Sequence, residues 1–519
     1  MTALLRLLAF VAALVLGGAP ALADPGDIDA AARGVVRVIV VGGEGEEVFP
    51  VSHGSGFAVD AETIVTNAHV VSEAVEDPDL AIGIVPSNGG DAVYGRVIAV
   101  SPRNDLALVR TTRPMHLAPL TIAGNPPAQS TAVFAIGYPM NVDQAQGLGE
   151  DDIFSAQPPV TSQGYLSGRR PSRDFDTLLH TAAIARGNSG GPLVDQCGRV
   201  IGVNSFGAES NATEAEFFFA VTMRELLPFL RANSITPQMN SLPCRSLDEL
   251  EAAERERAER QMQSAERDAA QSEAAQARRS DELRREIEFQ VLDERTTGTA
   301  LALLALFVMA GGAGYAVWSH QRGDMRQRAI GGSLAVLALI VMLGAWFTRP
   351  DYKDIQERLE DALRAAMAEA DTPPVALGTS GGQLTCTLDT GRSRILGAPV
   401  ESIPLGWTEQ GCVNGRTQYG TTGGEWSRVL VPDDEDAVSV NRFDPLREEY
   451  VVERYLLDRT QMAALREVRA AYQAPACNAG PQAPGELGSQ QQAVLSLLPE
   501  RPNERLVYTC GNDSPPAAE

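Results

Sequence analysis

Three short stretches of this chain hold residue types that together could activate a hydroxyl. Arg186-Gly187-Asn188-Ser189-Gly190-Gly191-Pro192-Leu193-Val194 sets a serine among glycines. Such a tight turn exposes the hydroxyl and leaves backbone N–H groups free to face a ligand. Thr63-Ile64-Val65-Thr66-Asn67-Ala68-His69-Val70-Val71 is a β-rich run that delivers His69 where a turn or helix begins. An imidazole there suits proton exchange near neutral pH. Arg103-Asn104-Asp105-Leu106-Ala107-Leu108-Val109-Arg110 sets a carboxylate at the mouth of an apolar strand. Taken singly, each has a plain structural reading: a glycine-rich surface turn, a structural histidine, a strand-initial aspartate. In the order His, Asp, Ser they also make a nucleophile with a base and an orienter.

The elements that must position these residues are spread along a chain of 519 residues, too long for one ordinary core. Val35 to Val41 is a strand-like apolar run ending at Gly42-Gly43, and Gly54-Ser55-Gly56-Phe57-Ala58-Val59 leads to the histidine strand. This first folded region spans 24–240. Residues 246–295 are dense in Glu, Arg, Ala and Gln and contain no Gly or Pro, so they read as one helix, about 75 Å long. Its heptad positions are mostly polar, and a solvated single helix and a dimeric coiled-coil stalk both fit. The runs 298–318 and 330–347 are apolar and long enough to cross a bilayer. The link 319–329 carries Arg322, Arg326 and Arg328 against Asp324, which places it on the cytoplasmic side. An amphipathic helix over 351–371 follows, with Tyr352, Ile355, Leu359, Leu363 and Met367 on one stripe. Residues 375–519 read as a disulfide-braced α+β module without a histidine or a recognisable site.

Arg6, the apolar run Leu7 to Leu16 and Ala21-Leu22-Ala23 make residues 1–23 a secretory signal. Export to an oxidising compartment makes Cys197, Cys244, Cys386, Cys412, Cys477 and Cys510 disulfide candidates. Nearness in sequence suggests Cys386–Cys412, Cys477–Cys510 and Cys197–Cys244. None forms a C-x-x-C pair, and neither a metal nor a cofactor is expected. The net charge of −24 and a pI near 4.7 speak against nucleic acid as a partner.

Thr66-Asn67-Ala68-His69-Val70-Val71, Asn104-Asp105-Leu106-Ala107-Leu108 and Arg186-Gly187-Asn188-Ser189-Gly190-Gly191-Pro192-Leu193 resemble the three active-site motifs of the chymotrypsin-fold serine proteases. Ala182-Ala183-Ile184 and Val200-Ile201-Gly202-Val203-Asn204 extend the resemblance to the bacterial HtrA/Deg branch, over about residues 28–235. The resemblance implies two six-stranded β-barrels, with Ser189 as nucleophile, His69 as base and Asp105 as orienter. It further implies an oxyanion hole from the N–H groups of Gly187 and Ser189, a substrate edge strand at Ser205-Phe206-Gly207, and a pocket base at Ala183. An alanine there disfavours Lys or Arg at P1, so a small or apolar P1 side chain is expected. The family's PDZ-like domain does not follow the protease region. Ile39-Val40-Val41-Gly42-Gly43 looks like the processed N-terminus of a trypsin-like zymogen. No basic residue precedes Ile39, however, and Asn188 stands where a new amino group would need an aspartate. Between Gly137-Tyr138-Pro139 and Val160 lies an acidic insertion with Glu150, Asp151 and Asp152, read as a solvated loop or as a gate to the site.

The expectation is a two-pass, bacterial inner-membrane serine endopeptidase with both soluble regions in the periplasm, acting on polypeptides in quality control or regulatory proteolysis. A homo-oligomer and a ligand of residues 375–519 stay open. Two other classes fit: a catalytically silent peptide-binding scaffold and an envelope signalling relay.

Overall fold

The computed structural model describes residues 25–511 except 44–47, 88, 126–127, 150–151, 172–174, 208–216, 324, 371–381 and 478. The expected secretory signal, Glu150, Asp151 and Asp324 lie outside the described residues. The chain divides into two compact units: Met1–Glu254 with Thr379–Glu519, and Arg255–Gly378.

The first unit opens with α1 (Pro25–Ala32) and then a closed barrel. Its strands are β1 (Val35–Gly42), β2 (Phe49–Ala58), β3 (Thr63–Thr66), β4 (Ala81–Pro86), β5 (Val93–Ser101) and β6 (Leu106–Thr111), paired in the ring order β1-β2-β3-β6-β5-β4. Every residue of β1 is buried. Val36, Val38 and Val40 join one core cluster with Ile64, Ile84 and Val109, while Val35, Ile39 and Val41 pack elsewhere. A strand covered on both faces reads as a continuous apolar run, as this one does. Arg37 alone breaks the run. Ile39 lies in mid-strand, opposite His53 and Gly83, so it is no free terminus. Helix α2 (Ala68–Glu76) follows β3.

The second barrel uses β8 (Ala132–Gly137), β9 (Val160–Pro171), β10 (Asp176–His180), β11 (Pro192–Val194), β12 (Val200–Gly207) and β13 (Phe218–Thr222). They pair as β11-β8-β9-β10-β13-β12, and β12 returns to β11 to close the ring. Two short strands, β7 (Ile122–Ala123) and β14 (Met239–Asn240), extend the sheet beyond β12. The insertion after β8 is exposed over much of its described length but is anchored at two points. It contains α3 (Met140–Ala145) and a single 3-10 turn (Asp152–Phe154), with Asp143 buried and Ile153 packed on Ile39, Val41 and Val85. Helix α4 (Met223–Ala232) follows β13.

The C-terminal part of this unit is an antiparallel seven-stranded sheet, β16-β15-β23-β22-β21-β20-β19. The strands are β15 (Gln383–Leu388), β16 (Ser402–Gly406), β19 (Gly420–Thr422), β20 (Glu425–Leu430), β21 (Ala437–Asp444), β22 (Glu449–Leu456) and β23 (Glu504–Gly511); β17 (Cys412–Val413) and β18 (Thr417–Gln418) form a separate pair. Val438 and Val440 face α8 (Arg459–Ala470) and α9 (Ala483–Leu495) through Met462, Leu465 and Val494. The opposite face packs Phe443, Tyr450 and Tyr508 around Trp407 and Tyr419. An α+β module is therefore present. Its disulfides differ from expectation: Cys197–Cys244 forms, but the others are Cys386–Cys510 and Cys412–Cys477. Register overrides nearness, because Cys386 and Cys510 lie directly opposite on β15 and β23 although 124 residues apart.

Helix α5 (Leu247–Gln321), whose residues from Arg255 onward belong to the second unit, is a single helix with no break at the expected boundary near 296; at 1.5 Å per residue it spans about 110 Å. Between 255 and 285 its side chains are almost all exposed, and Arg260–Glu256 and Arg284–Glu288 pair one turn apart. A charged helix of this kind fits both a solvated single helix and a dimeric stalk. Windows in α5 and in α6 (Met325–Phe347) have mean hydropathies of 2.0 and 2.2, yet only 17% and 11% of those windows is buried. A core helix of a soluble domain would be mostly covered. The two helices meet through small residues: a Cβ on Gly331 would lie 2.9 Å from the Ala316 amide nitrogen. Helix α7 (Tyr352–Ala370) is tied to α5 by Arg358, which donates to both oxygens of Glu294.

Within the first unit the C-terminal module grips the first barrel's entry helix. Arg394 pairs with Asp27 of α1, both buried, and donates through Nε to the Arg245 carbonyl at 2.8 Å. Asn240 donates to the Ile395 carbonyl at 2.6 Å, and Arg459 donates to the carbonyls of Gly89 and Met115. Removing one member of a buried ion pair strands the other charge. Arg394→Ala is therefore expected to destabilise this whole unit by about 3–5 kcal/mol, read as a lower midpoint in urea denaturation of the intact chain.

Candidate active site

Asp105 follows a 3-10 turn, Pro102–Asn104, and takes a left-handed φ of 50°. Aspartate tolerates this conformation better than most residues. The conformation turns the carboxylate to meet the start of α2. His69 Nδ1 lies 2.9 Å and 3.0 Å from its two oxygens, and the His69 backbone N–H donates to Oδ1 at 3.2 Å. Ser205 adds a hydroxyl hydrogen bond to Oδ2 at 2.5 Å, and Asn67 donates to the Asp105 carbonyl at 2.8 Å. A ring whose Nδ1 faces a carboxylate carries its proton there, leaving Nε2 as the acceptor. The carboxylate is shielded, at 16% side-chain exposure against 51% for His69, so the ring is open to solvent and its orienter is not.

Ser189 stands between two positive-φ glycines, Gly187 at 97° and Gly190 at 88°. Neither position admits a side chain. A Cβ on Gly187 would lie 2.1 Å from the Tyr138 carbonyl oxygen, and one on Gly190 2.2 Å from that of Ser55. The loop's other backbone groups are paired, some within the loop and some with segments of both barrels. Asn188, Gly190 and Gly191 donate their amides to the carbonyls of Ala185, Asn204 and Asn188. The Arg186 carbonyl accepts from the Met140 amide at 2.7 Å, and the Ser189 carbonyl from the Ser55 amide at 2.8 Å. Among the described residues the amides of Gly187 and Ser189 have no protein acceptor. The Arg186–Gly187 peptide is trans, so pinning its oxygen to Met140 sends the Gly187 N–H the opposite way. The Ser189 hydroxyl donates to the Ser205 carbonyl at 2.8 Å.

His69, Asp105, Ser189 and Ser205 are thus brought into one connected set, and Ser205 touches both Asp105 and Ser189. Phe206 and Gly207 lie at the outer end of β12, where the exposed Phe206 ring stacks on Phe219 with centroids 4.8 Å apart. Gly207 lies opposite Phe218, whose Cδ1 would be 3.2 Å from a Cβ placed on it. Ala183 is exposed on the segment joining β10 to the serine loop. Asn188 is buried and forms no ion pair among the described residues.

The residues that sequence reading missed stand behind the loop. Ser55 Oγ accepts from the Tyr138 amide and donates to the Gly187 carbonyl at 2.6 Å, tying both barrels to the serine turn. Arg37 pairs with Asp143 at 3.1 Å, its guanidinium stacks over Tyr138, and His53 Nε2 lies 3.7 Å from the same carboxylate. The visible signal was Arg37 itself, a charge inside an apolar strand. A cavity of about 440 Å³ lies elsewhere, between the first barrel and the C-terminal module. Arg33, Arg199, Asp436, Arg459 and Glu504 line it, and His69, Asp105 and Ser189 do not.

Two closed six-stranded barrels with this arrangement between them fit the chymotrypsin fold. Residues 54–203 match the family model of the trypsin-like peptidase domain, and the chain carries such a domain. It is similar to the mitochondrial serine protease HTRA2 of Bos taurus, 35% identical over 216 residues, which are 39% of this chain and 41% of that protein. It is also similar to the periplasmic serine endoprotease DegP of Escherichia coli K12, 30% identical over 166 residues (31% of this chain, 32% of DegP). A serine protease of Mycobacterium tuberculosis H37Rv is 28% identical over 239 residues, 44% of this chain and 53% of that protein. The chain thus spans about a third to a half of these relatives' own length.

His180, at the end of β10, is fully buried beside Phe218, and burial lowers its pKa from 6.5 to about 4 despite an opposing contact with the Ala182 backbone. Burial also lowers His53, with Arg37 adding to the effect. The unfolded chain then binds protons that the folded chain refuses. Stability is full above about pH 6.5 and falls as pH drops toward 4, on the order of 3 kcal/mol for His180. His180→Phe is expected to flatten urea midpoints measured from pH 7 to pH 4.5; an unchanged slope would assign the acid lability to other groups.

Proposed function

We propose that the chain is a membrane-anchored serine endopeptidase acting on polypeptides in the bacterial periplasm, in quality control or regulatory proteolysis. The observation that carries this reading is the Asp105–His69 contact at 2.9 Å together with the free amides of Gly187 and Ser189. Ser189 Oγ attacks the scissile carbonyl carbon as His69 Nε2 takes the hydroxyl proton. Asp105 holds the ring and stabilises the imidazolium. The oxyanion lies against the Gly187 and Ser189 amides, each worth about 3–4 kcal/mol in sites of this kind. Collapse expels the amine with the proton from His69. Water, deprotonated by the same ring, then cleaves the acyl ester and restores Ser189. This route requires the Ser189 hydroxyl to leave the Ser205 carbonyl for His69; catalytic hydrogen bonds often tighten only with substrate bound.

Ser205-Phe206-Gly207 offers an edge on which a peptide can add as a strand. The Phe218 ring against Gly207 adds to Ala183 as a reason for small or apolar P1 side chains. The two outward-facing apolar helices, Arg322 between them with Arg326 and Arg328 in the first turn of α6, and the three disulfides support a two-pass inner-membrane anchor with the first unit in the periplasm. The relative DegP is itself a periplasmic endoprotease.

The Ser189–Ser205 bond is the one observation that favours a silent peptide-binding scaffold. Labelling with a fluorophosphonate probe separates the two readings. The parent is expected to label and Ser189→Ala not to; an unlabelled but folded parent supports the scaffold. In a panel of peptides varying only at P1, Ala or Val is expected to be cleaved at least ~10-fold faster than Arg, and fastest cleavage after Arg would remove the pocket assignment.

A further inference from the structure

The Arg37–Asp143 pair is not part of the serine, histidine and aspartate set, yet it stands directly behind the loop that would hold the oxyanion. Arg37 comes from β1 of the first barrel, and Asp143 from α3, which follows the second barrel's β8. Both are buried, with 1% and 11% of their side chains exposed. A buried ion pair contributes little net stability, since desolvation of both charges offsets their attraction. Its use is to fix one arrangement against others, and here the arrangement fixed is the start of α3.

That start does two things. The Met140 amide holds the Arg186 carbonyl at 2.7 Å, which aims the Gly187 amide. The Tyr138 carbonyl and His53 Nε2 lie so close to Gly187 that an added Cβ would sit 2.1 Å and 3.0 Å from them. Tyr138 carries the Arg37 guanidinium 4.7 Å over its ring, and His53 faces the second oxygen of Asp143 at 3.7 Å. Contacts therefore run unbroken from the ion pair to the peptide that supplies one oxyanion donor. Were α3 released, the Arg186–Gly187 peptide would lose the partner of its carbonyl and could turn that oxygen into the cleft, where it would repel the developing charge.

We propose that Arg37 and Asp143 are positioning residues for the oxyanion donor at Gly187, acting through α3 and the Met140 amide. The proposal rests on Ser189 being the nucleophile and gives a buried strand of the first barrel and the helix after the second barrel's β8 a share in catalysis. The test uses the full-length chain in detergent micelles, a fluorogenic peptide that the parent cleaves, and the rate of fluorophosphonate labelling. Asp143→Asn is expected to lower kcat and the labelling rate ~10- to 100-fold, with KM within about twofold because uniform binding is untouched. Arg37→Met with Asp143→Leu replaces the pair by apolar volume and is expected to fold with parental thermal stability. It should lose no more activity than Asp143→Asn alone, as two parts of one device. Parental kcat in the folded double variant overturns the proposal. So does a loss that tracks unfolding in both variants, because the pair would then be only a structural tie. A parent that does not label at all overturns the endopeptidase reading instead, so the two failures are distinguishable.

Discussion

A trans peptide can point only one of its two polar groups into a cleft, and the chemistry proposed for Ser189 turns on which one the Arg186–Gly187 unit presents. Its carbonyl is held by Met140, its glycine sits at a φ of 97° against the Tyr138 carbonyl, and the next carbonyl is held by Ser55. None of these ties belongs to the serine loop. They come from β2 of one barrel and from the segment after β8 of the other. A nucleophile can be made by one hydroxyl and one imidazole; a pre-aimed pair of amides needs the surrounding structure to leave them unpaired on purpose. The two barrels are locked together at the place where that pairing is refused.

Charge burial follows the same logic across the first unit. Arg37–Asp143 and Arg394–Asp27 each join segments far apart in sequence, and each stands where a shift would be felt elsewhere. Apolar contacts alone are tolerant of sliding, because one methyl substitutes for another. A buried charge is not tolerant, since misplacing it costs the full desolvation penalty. By contrast the surface pairs along α5, such as Arg260–Glu256, are exposed on both sides and steady only the local helix.

Much of this was legible from residues. The barrel strands declare themselves as apolar runs, and Asn104-Asp105-Leu106, Asn67-Ala68-His69 and Gly187-Asn188-Ser189 lie where the strand ends and turns require them. The paired helices α5 and α6 were equally plain. Other features depend on geometry that no local pattern carries. Cys386 meets Cys510 through sheet register, and register is set by strands 124 residues apart. Asp143 was not singled out within the acidic insertion, because nothing near it in sequence names Arg37 as its partner. Ser205 was placed on the substrate strand by its position, whereas its hydroxyl turns inward to Asp105. The expected boundary near 296 vanished because Gly298 was read as a start, although a single glycine costs a long helix only about 1 kcal/mol.

The C-terminal module poses the same question in reverse, for it shows no reactive constellation among the described residues and yet cannot be an idle appendage. Arg394 reaches into α1, whose Ile28 and Ala31 belong to the core cluster that includes Phe57, Val65 and Leu106. Asn240, on the strand that extends the second barrel's sheet, donates to Ile395, and Cys244 is bonded to Cys197 just ahead of β12. The module therefore touches the framework of both barrels at their outer edge, away from Ser189. Any event that shifted Arg394 would act on α1 and on the start of β1, and β1 carries Arg37. A device of this kind couples through packed elements with few alternative positions, not through direct contact with the site. The described residues of the C-terminal module are thus part of what keeps the two barrels in register, and any influence of this module on Ser189 would have to pass through that grip.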